Sequence, residues 1–270
     1  MNYKAILQYD GTRYRGWQVQ GNTDNTIQGK IETLLTRMAG EPVEVNGSGR
    51  TDAGVHAAGQ VISFRCQTDR TPEDICAYMN QYLPEDICVL SVEEAAPRFH
   101  ARLNAVRKTY VYRIWNAPVR PVFERKYVTW IEQPLDVDAM RRAAELLCGT
   151  HDYRAFCSLK KFKKSTVRTV EEVNIEHLGK EICISYTGDG FLYHMVRILT
   201  GTLVEVGEGA RKPEDFSASY ICPSAKLLPL DNDEQHYGFE AFTALVRGVE
   251  EALHSDISVR SLLYSKGLVV

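Results

Sequence analysis

The feature that most constrains the fold is the stretch 47–57, Gly-Ser-Gly-Arg-Thr-Asp-Ala-Gly-Val-His-Ala. Apolar alternation precedes it at Val43 and Val45 and follows it at Val61, Ile62 and Phe64. That is the pattern of two strands joined by a loop. Gly47, Gly49 and Gly54 let the backbone turn sharply or approach another group closely. Arg50 and Asp52 inside such a loop leave two readings open. One is a hairpin with a surface ion pair of small energetic weight. The other is a loop on a rigid scaffold whose carboxylate is kept ionised by a guanidinium.

The remaining chain alternates strand and helix patterns. Residues 3–9 read as a strand closed by Asp10-Gly11. Arg13, Tyr14, Arg15 and Trp17 then interleave basic and aromatic residues in a loop. This suits phosphate contact with base stacking, or aromatic side chains anchoring the loop on the core. Ile27, Ile31, Leu34, Leu35 and Met38 share one helical face, and Gly40 stands where a C-cap glycine belongs. A strand over 59–64 follows. Thr71-Pro72-Glu73-Asp74 then opens a helix with Ile75, Tyr78, Met79 and Tyr82 inward, and 87–92 returns as a strand. In 108–115, Tyr110, Tyr112 and Ile114 fall on one strand face, with Val111, Arg113 and Trp115 on the other.

In the second half Asp136 starts a helix with Met140, Ala143, Ala144 and Leu147 on one stripe and Gly149 beyond it. His151 and Asp152 are adjacent, so they read as capping or turn residues. Residues 168–177 and 181–187 form a hairpin through Leu178-Gly179-Lys180. Phe191, Met195, Ile198, Leu199 and Val206 predict an apolar helix over 191–207, with His194 and Arg197 on one side of it. An arginine in so apolar a helix needs a carboxylate or phosphate opposite it. Short helices are predicted from 211–215 and 258–264, and a longer one over 239–253. Pro118, Pro121 and Pro134 mark a boundary that divides the chain into halves 1–116 and 117–270.

The net charge of −3 does not advertise a polyanion partner, so nucleic-acid binding would have to come from local patches. The candidates are Arg13 and Arg15; Arg98, Arg102, Arg107 and Lys108; and Lys160, Lys161, Lys163 and Lys164 around Phe162. A solvated face is the plain alternative for any charge run. Seven scattered cysteines without a Cys-x-x-Cys pair argue against a disulfide framework or zinc site and for a reducing cytoplasm. No apolar run has the length of a membrane span, and the opening residues lack signal-peptide anatomy.

Together the motifs resemble the tRNA pseudouridine synthase A family. They are Tyr9-Asp10-Gly11-Thr12 with Gly16-Trp17-Gln18; Thr26-Ile27-Gln28; Gly49 to Ala57; Phe99-His100-Ala101-Arg102 with Lys108-Thr109-Tyr110; Gly149 to Tyr153 with Ala155-Phe156; and Gly190-Phe191-Leu192 with Met195-Val196-Arg197. The resemblance implies an α+β pseudouridine synthase fold of two similar halves, each with antiparallel sheet and flanking helices, facing each other across a central cleft. It also implies a cytoplasmic homodimer that takes tRNA and needs no metal or other cofactor. The activity would convert uridine to pseudouridine in the anticodon stem-loop, at positions 38, 39 and 40.

Such a reaction breaks the N1–C1′ bond, rotates the uracil and rejoins it through C5, on a base flipped from its stack. By resemblance Asp52 is the catalytic carboxylate, acting either as nucleophile at C1′ or as base toward the ribose. Arg197 pairs with it. Arg50 holds the flipped nucleotide or fills its place, and Tyr110 stacks on the uracil with a hydroxyl near C5. A protein that only binds RNA would not need this set. A hydrolase would need a second carboxylate or a metal-ligand cluster beside Asp52, and the sequence shows neither motif. The chain departs from the family at Ile198, where asparagine is usual, and from about Cys222 onward.

Overall fold

The structure, a computed structural model, describes residues 1–159, 161–162, 164–216 and 242–245. The first half consists of β1 (Asn2–Tyr9), α1 (Ile27–Ala39), β2 (Val45–Gly47), β3 (His56–Arg65), α2 (Pro72–Tyr82) and β4 (Ile87–Glu94). Then follow β5 (Lys108–Asn116), β6 (Thr129–Ile131), α3 (Val137–Leu146), β7 (Gly149–Asp152), β8 (Val167–Leu178), β9 (Glu181–Gly188), α4 (Met195–Gly207) and β10 (Phe242–Leu245).

Helix ends are set by local chemistry. The Thr26 hydroxyl accepts from the Gly29 N–H at the start of α1, and Gly40, at φ 74°, closes it in the left-handed conformation. Thr71 and Asp74 form a reciprocal capping box on α2, with Pro72 in its first turn. Asp136 caps α3 by accepting from Ala139 N–H. Asp152 likewise caps the 3₁₀ turn Tyr153–Phe156, and His151 Nε2 lies 2.9 Å from the Cys148 carbonyl oxygen.

The strands form one sheet in the order β4-β1-β3-β10-β5-β9-β8-β7, with β2 beside β3 and β6 beside β5. Pairing is antiparallel except between β10 and β3 and between β5 and β6. Two cores form on it. The first gathers Tyr3, Leu7, Ile31, Leu35, Ile62, Phe64 and Met79. The second gathers Ile114, Met140, Ala143, Ile182, Tyr186, Leu199 and Leu203. Strand β5 therefore packs with the second core. Between the cores β10 is a spacer. Its Ala244 stands opposite Ala57 of β3 and opposite Tyr110 of β5. Two ladder spacings hold β3 and β5 roughly 10 Å apart there.

Three expectations change. The helix predicted over 191–207 begins at Met195, because His194 takes a left-handed φ of 60° and breaks the run. The helix predicted from 211–215 is a single 3₁₀ turn, Pro213–Phe216. Residues 242–245, inside the helix predicted over 239–253, are extended, since the gap between β3 and β5 offers ladder partners on both sides. The remaining residues of that segment, the short helix at 258–264 and the divergent stretch after Cys222 lie outside the described residues. Among the described residues no helix is long and apolar enough to cross a membrane.

On the sheet, Arg113 of β5 is 7% exposed and grips Glu181 of β9, itself 9% exposed, through its Nε and through Nη2 at 3.1 Å. Glu181→Ala would strand a buried guanidinium and is expected to cost about 3–5 kcal/mol in urea unfolding. A cost below about 1 kcal/mol would place the pair with ordinary surface bridges.

Candidate active site

The loop between β2 and β3 has no ladder of its own, so its polar backbone is satisfied from two sides. Gln60 of β3, fully buried, accepts from the Ser48 hydroxyl (3.0 Å) and donates to the Gly49 carbonyl (2.7 Å). From the other side, Trp17 N–H donates to the Thr51 carbonyl (2.9 Å) and Gly54 N–H to the Tyr14 carbonyl (3.4 Å). The Tyr9 and Thr51 hydroxyls lie 2.9 Å apart. Two glycines permit this approach. Gly16 sits at φ +94°, where a Cβ would lie 2.8 Å from the Thr51 oxygen. At Gly47 a Cβ would meet the Trp17 indole at 2.7 Å. The aromatic residues of the Arg13–Trp17 segment thus face inward: Tyr14 and Trp17 are 5% and 3% exposed. They anchor the loop, as the plainer reading expects.

Asp52 opens onto a cavity of about 1230 Å³ between the two halves. Its walls include Arg15 and Trp17 from the first half, Arg102, Lys108 and Tyr110 from around β5, and Phe191 to Arg197 from the entrance of α4. Arg15, Arg50, Arg102, Lys108 and Arg197 line it, and Asp52 is the one carboxylate among the lining residues. The cations crowd one another. Burial, then Arg102, pull Arg50 below the usual guanidinium range. Burial, then Arg102 and Arg168, pull Lys108 below the usual lysine range against the opposing effect of Asp189. Positive groups held this close favour an anion between them.

Asp52 Oδ2 lies 3.8 Å from Arg197 Nη1 and 3.5 Å from His194 Nε2. Arg197 therefore meets a carboxylate, as its place in an apolar helix requires. Arg50, expected as a partner on loop spacing, makes no ion pair with Asp52 within 4 Å and faces Arg102 instead. Tyr110 is buried, its ring edge-on to Phe191 at 5.1 Å. Burial, and after it the Asp52 charge, push its hydroxyl up to about 12.

Of the backbone-binding candidates, Arg15, Arg102 and Lys108 line the cavity. Arg13 is engaged by Asp86 at 2.7 Å and Arg107 by Glu171 at 2.6 Å, both away from it. Arg98, Lys161 and Lys164 are exposed and outside the lining, while Lys160 and Lys163 lie outside the described residues. Sequence reasoning assigned no role to His194, Phe191 or Gln60. Only the three-residue spacing of His194 from Arg197 hinted at the first.

A family model described as tRNA pseudouridine synthase matches residues 5–104 and 143–220. The tRNA pseudouridine synthase A of Bacillus sp. (strain KSM-64) is 50% identical over 213 residues, spanning 79% of this chain and 87% of that protein. The chain belongs to the tRNA pseudouridine synthase A family. Clostridium tetani has a tRNA pseudouridine synthase A 1 that is 49% identical over 240 residues, covering 85% of this chain and 98% of its own length. A further relative, tRNA pseudouridine synthase A of Brevibacillus brevis, is 47% identical over 213 residues, with 79% of this chain and 87% of that one aligned. The family is one of isomerases acting on uridine in tRNA, and the chain is an enzyme of that class.

Gly16→Ala should strain a left-handed position and press a methyl on the Thr51 carbonyl, at about 1–3 kcal/mol. Turnover should fall with it, because Asp52 follows Thr51 directly. Urea unfolding beside steady-state kinetics checks both, and a variant with unchanged stability would contradict the packing described.

Proposed function

We propose that this chain converts uridine to pseudouridine in the tRNA anticodon stem-loop, at positions 38, 39 and 40, with Asp52 as the catalytic carboxylate on a flipped-out uridine. The observation that carries this is the lone Asp52 in a cavity lined by Arg15, Arg50, Arg102, Lys108 and Arg197. At about 1230 Å³ the cavity exceeds the roughly 300–1,000 Å³ of an ordinary small-molecule site. That size, with its cationic walls, suits a nucleotide still attached to its polymer.

Each lining residue then has a task. Arg15, Arg102 and Lys108 take phosphates on either side of the target. Arg50 holds the extruded nucleotide or fills its place. Tyr110 stacks on the uracil, and its hydroxyl, kept protonated at neutral pH, serves as a hydrogen-bonding group near C5. Arg197 balances the Asp52 charge while that carboxylate either attacks C1′ or takes a ribose proton. The working form is a cytoplasmic homodimer, as in the family the sequence resembles, with no metal or other cofactor assigned a role.

Unmodified tRNA transcripts incubated with the chain should gain pseudouridine at the anticodon arm, and Asp52→Ala should yield none. Product from Asp52→Ala would remove that residue from the chemistry. No product from the parent chain on any anticodon-arm uridine would sink the proposal. Affinity for tRNA should fall roughly 10- to 100-fold between about 50 mM and 200 mM salt as phosphate contacts are screened. Filter binding across that range tests the assignment of the cationic walls, and a flat response would refute it.

A further inference from the structure

Two side chains from the entrance of α4 converge on the same oxygen of Asp52. Arg197 supplies a fixed charge at 3.8 Å and His194 Nε2 stands 3.5 Å away. The opposite nitrogen of that imidazole, Nδ1, lies 2.8 Å from the Ser158 hydroxyl. The ring stacks on Tyr193 with centroids 3.7 Å apart. His194 is thus held at Nδ1 by a hydrogen bond and on one face by stacking, with Nε2 turned to Asp52 at ion-pair distance.

Its backbone is unusual as well. Among the described residues it is the one non-glycine with positive φ. Residues held in that region gather at functional sites, where the surroundings over-determine them. Starting a helix does not require it, since the N-caps Thr26, Thr71 and Asp136 are all extended. What the left-handed turn achieves is to send Nε2 toward Asp52 while Arg197, one turn later, reaches the same oxygen.

We propose that His194 is a positioning residue for Asp52: oriented by Ser158, it directs Nε2–H at Oδ2, so that Oδ1 is the oxygen presented to the substrate. This rests on the reading of Asp52 as the catalytic carboxylate. The tautomer follows from the two ends. A carboxylate opposite Nε2 calls for a donor there, so Nδ1 accepts and the Ser158 hydroxyl donates. Burial, the largest influence, holds His194 below the ordinary imidazole range. Arg197 acts in the same direction and Asp52 opposes it. At neutral pH the ring therefore carries one proton, and one tautomer satisfies both neighbours. A carboxylate otherwise turns about its own axis. Two groups on one oxygen arrest that rotation, which is what an attacking or proton-abstracting oxygen needs.

The test uses the full chain. His194→Asn keeps a residue that tolerates the left-handed backbone but shortens its reach. It should lower kcat roughly 10- to 100-fold with KM for tRNA within about twofold of the parent. Ser158→Ala alters the relay without touching that backbone and should also lower kcat at unchanged KM. The imidazole ¹⁵N resonances of histidine-labelled protein should show His194, identified by its loss in His194→Asn, as the Nε2–H tautomer, and a mixture in Ser158→Ala. An unchanged kcat in His194→Asn, an effect confined to KM, or an Nδ1–H tautomer in the parent would each overturn the proposal. A parent chain that forms no pseudouridine would overturn the catalytic reading instead. The tautomer measurement would still decide the arrangement: Nε2–H supports it and Nδ1–H rejects it.

Discussion

Polar backbone that leaves a sheet must find partners elsewhere, and the segment between β2 and β3 shows what that demand organises. Its carbonyls and amides are met by Gln60 beneath and by the Tyr14 and Trp17 backbone above. The first loop of the chain is folded over the second to make those bonds. Because Gly16 and Gly47 carry no side chain, the two loops lie close enough for Tyr9, Trp17 and Thr51 to pack as one body. Asp52 therefore stands on a rigid double layer, not on a lone hairpin.

Charge is arranged with the same economy. The chain as a whole is slightly acidic at −3, yet its cavity gathers arginines and a lysine around one carboxylate. Arg13 and Arg107, equally basic in sequence, are tied to Asp86 and Glu171 on the outside. The pattern separates cations held by local partners from cations that face a shared space. Only the second group sets the potential inside the cavity.

Much of this was legible beforehand, for identifiable reasons. Gly40, Thr71, Asp74 and Asp136 announce helix ends because capping is local chemistry, decided within four residues. The stretch 47–57 is legible because three glycines within it mark a sharply turning, closely approached loop. The helix start at Met195 is hidden in the sequence because Phe191 and Met195, four apart, imitate a helical stripe that the left-handed His194 interrupts. Partnerships such as Gln60 with Gly49, or Ser158 with His194, join residues that only the fold brings together, so no spacing rule displays them. Strand β10 was hidden for the opposite reason. Its own letters permit a helix, and a vacancy between two other strands decides the matter.

That seam joins parts of the sequence that lie far apart. Among the described residues the first core draws on nothing later in the chain than β4, and the second on nothing later than the turn at Pro213–Phe216. The strand that joins them, Phe242–Leu245, comes after both in the sequence. It settles against His56 and Ala57 on one side and Tyr110 on the other. The spacing between the strands that carry the Asp52 loop and Tyr110 is thus set by β10. The width of the cleft is therefore written by the described segment of the sequence most distant from the loop that carries Asp52.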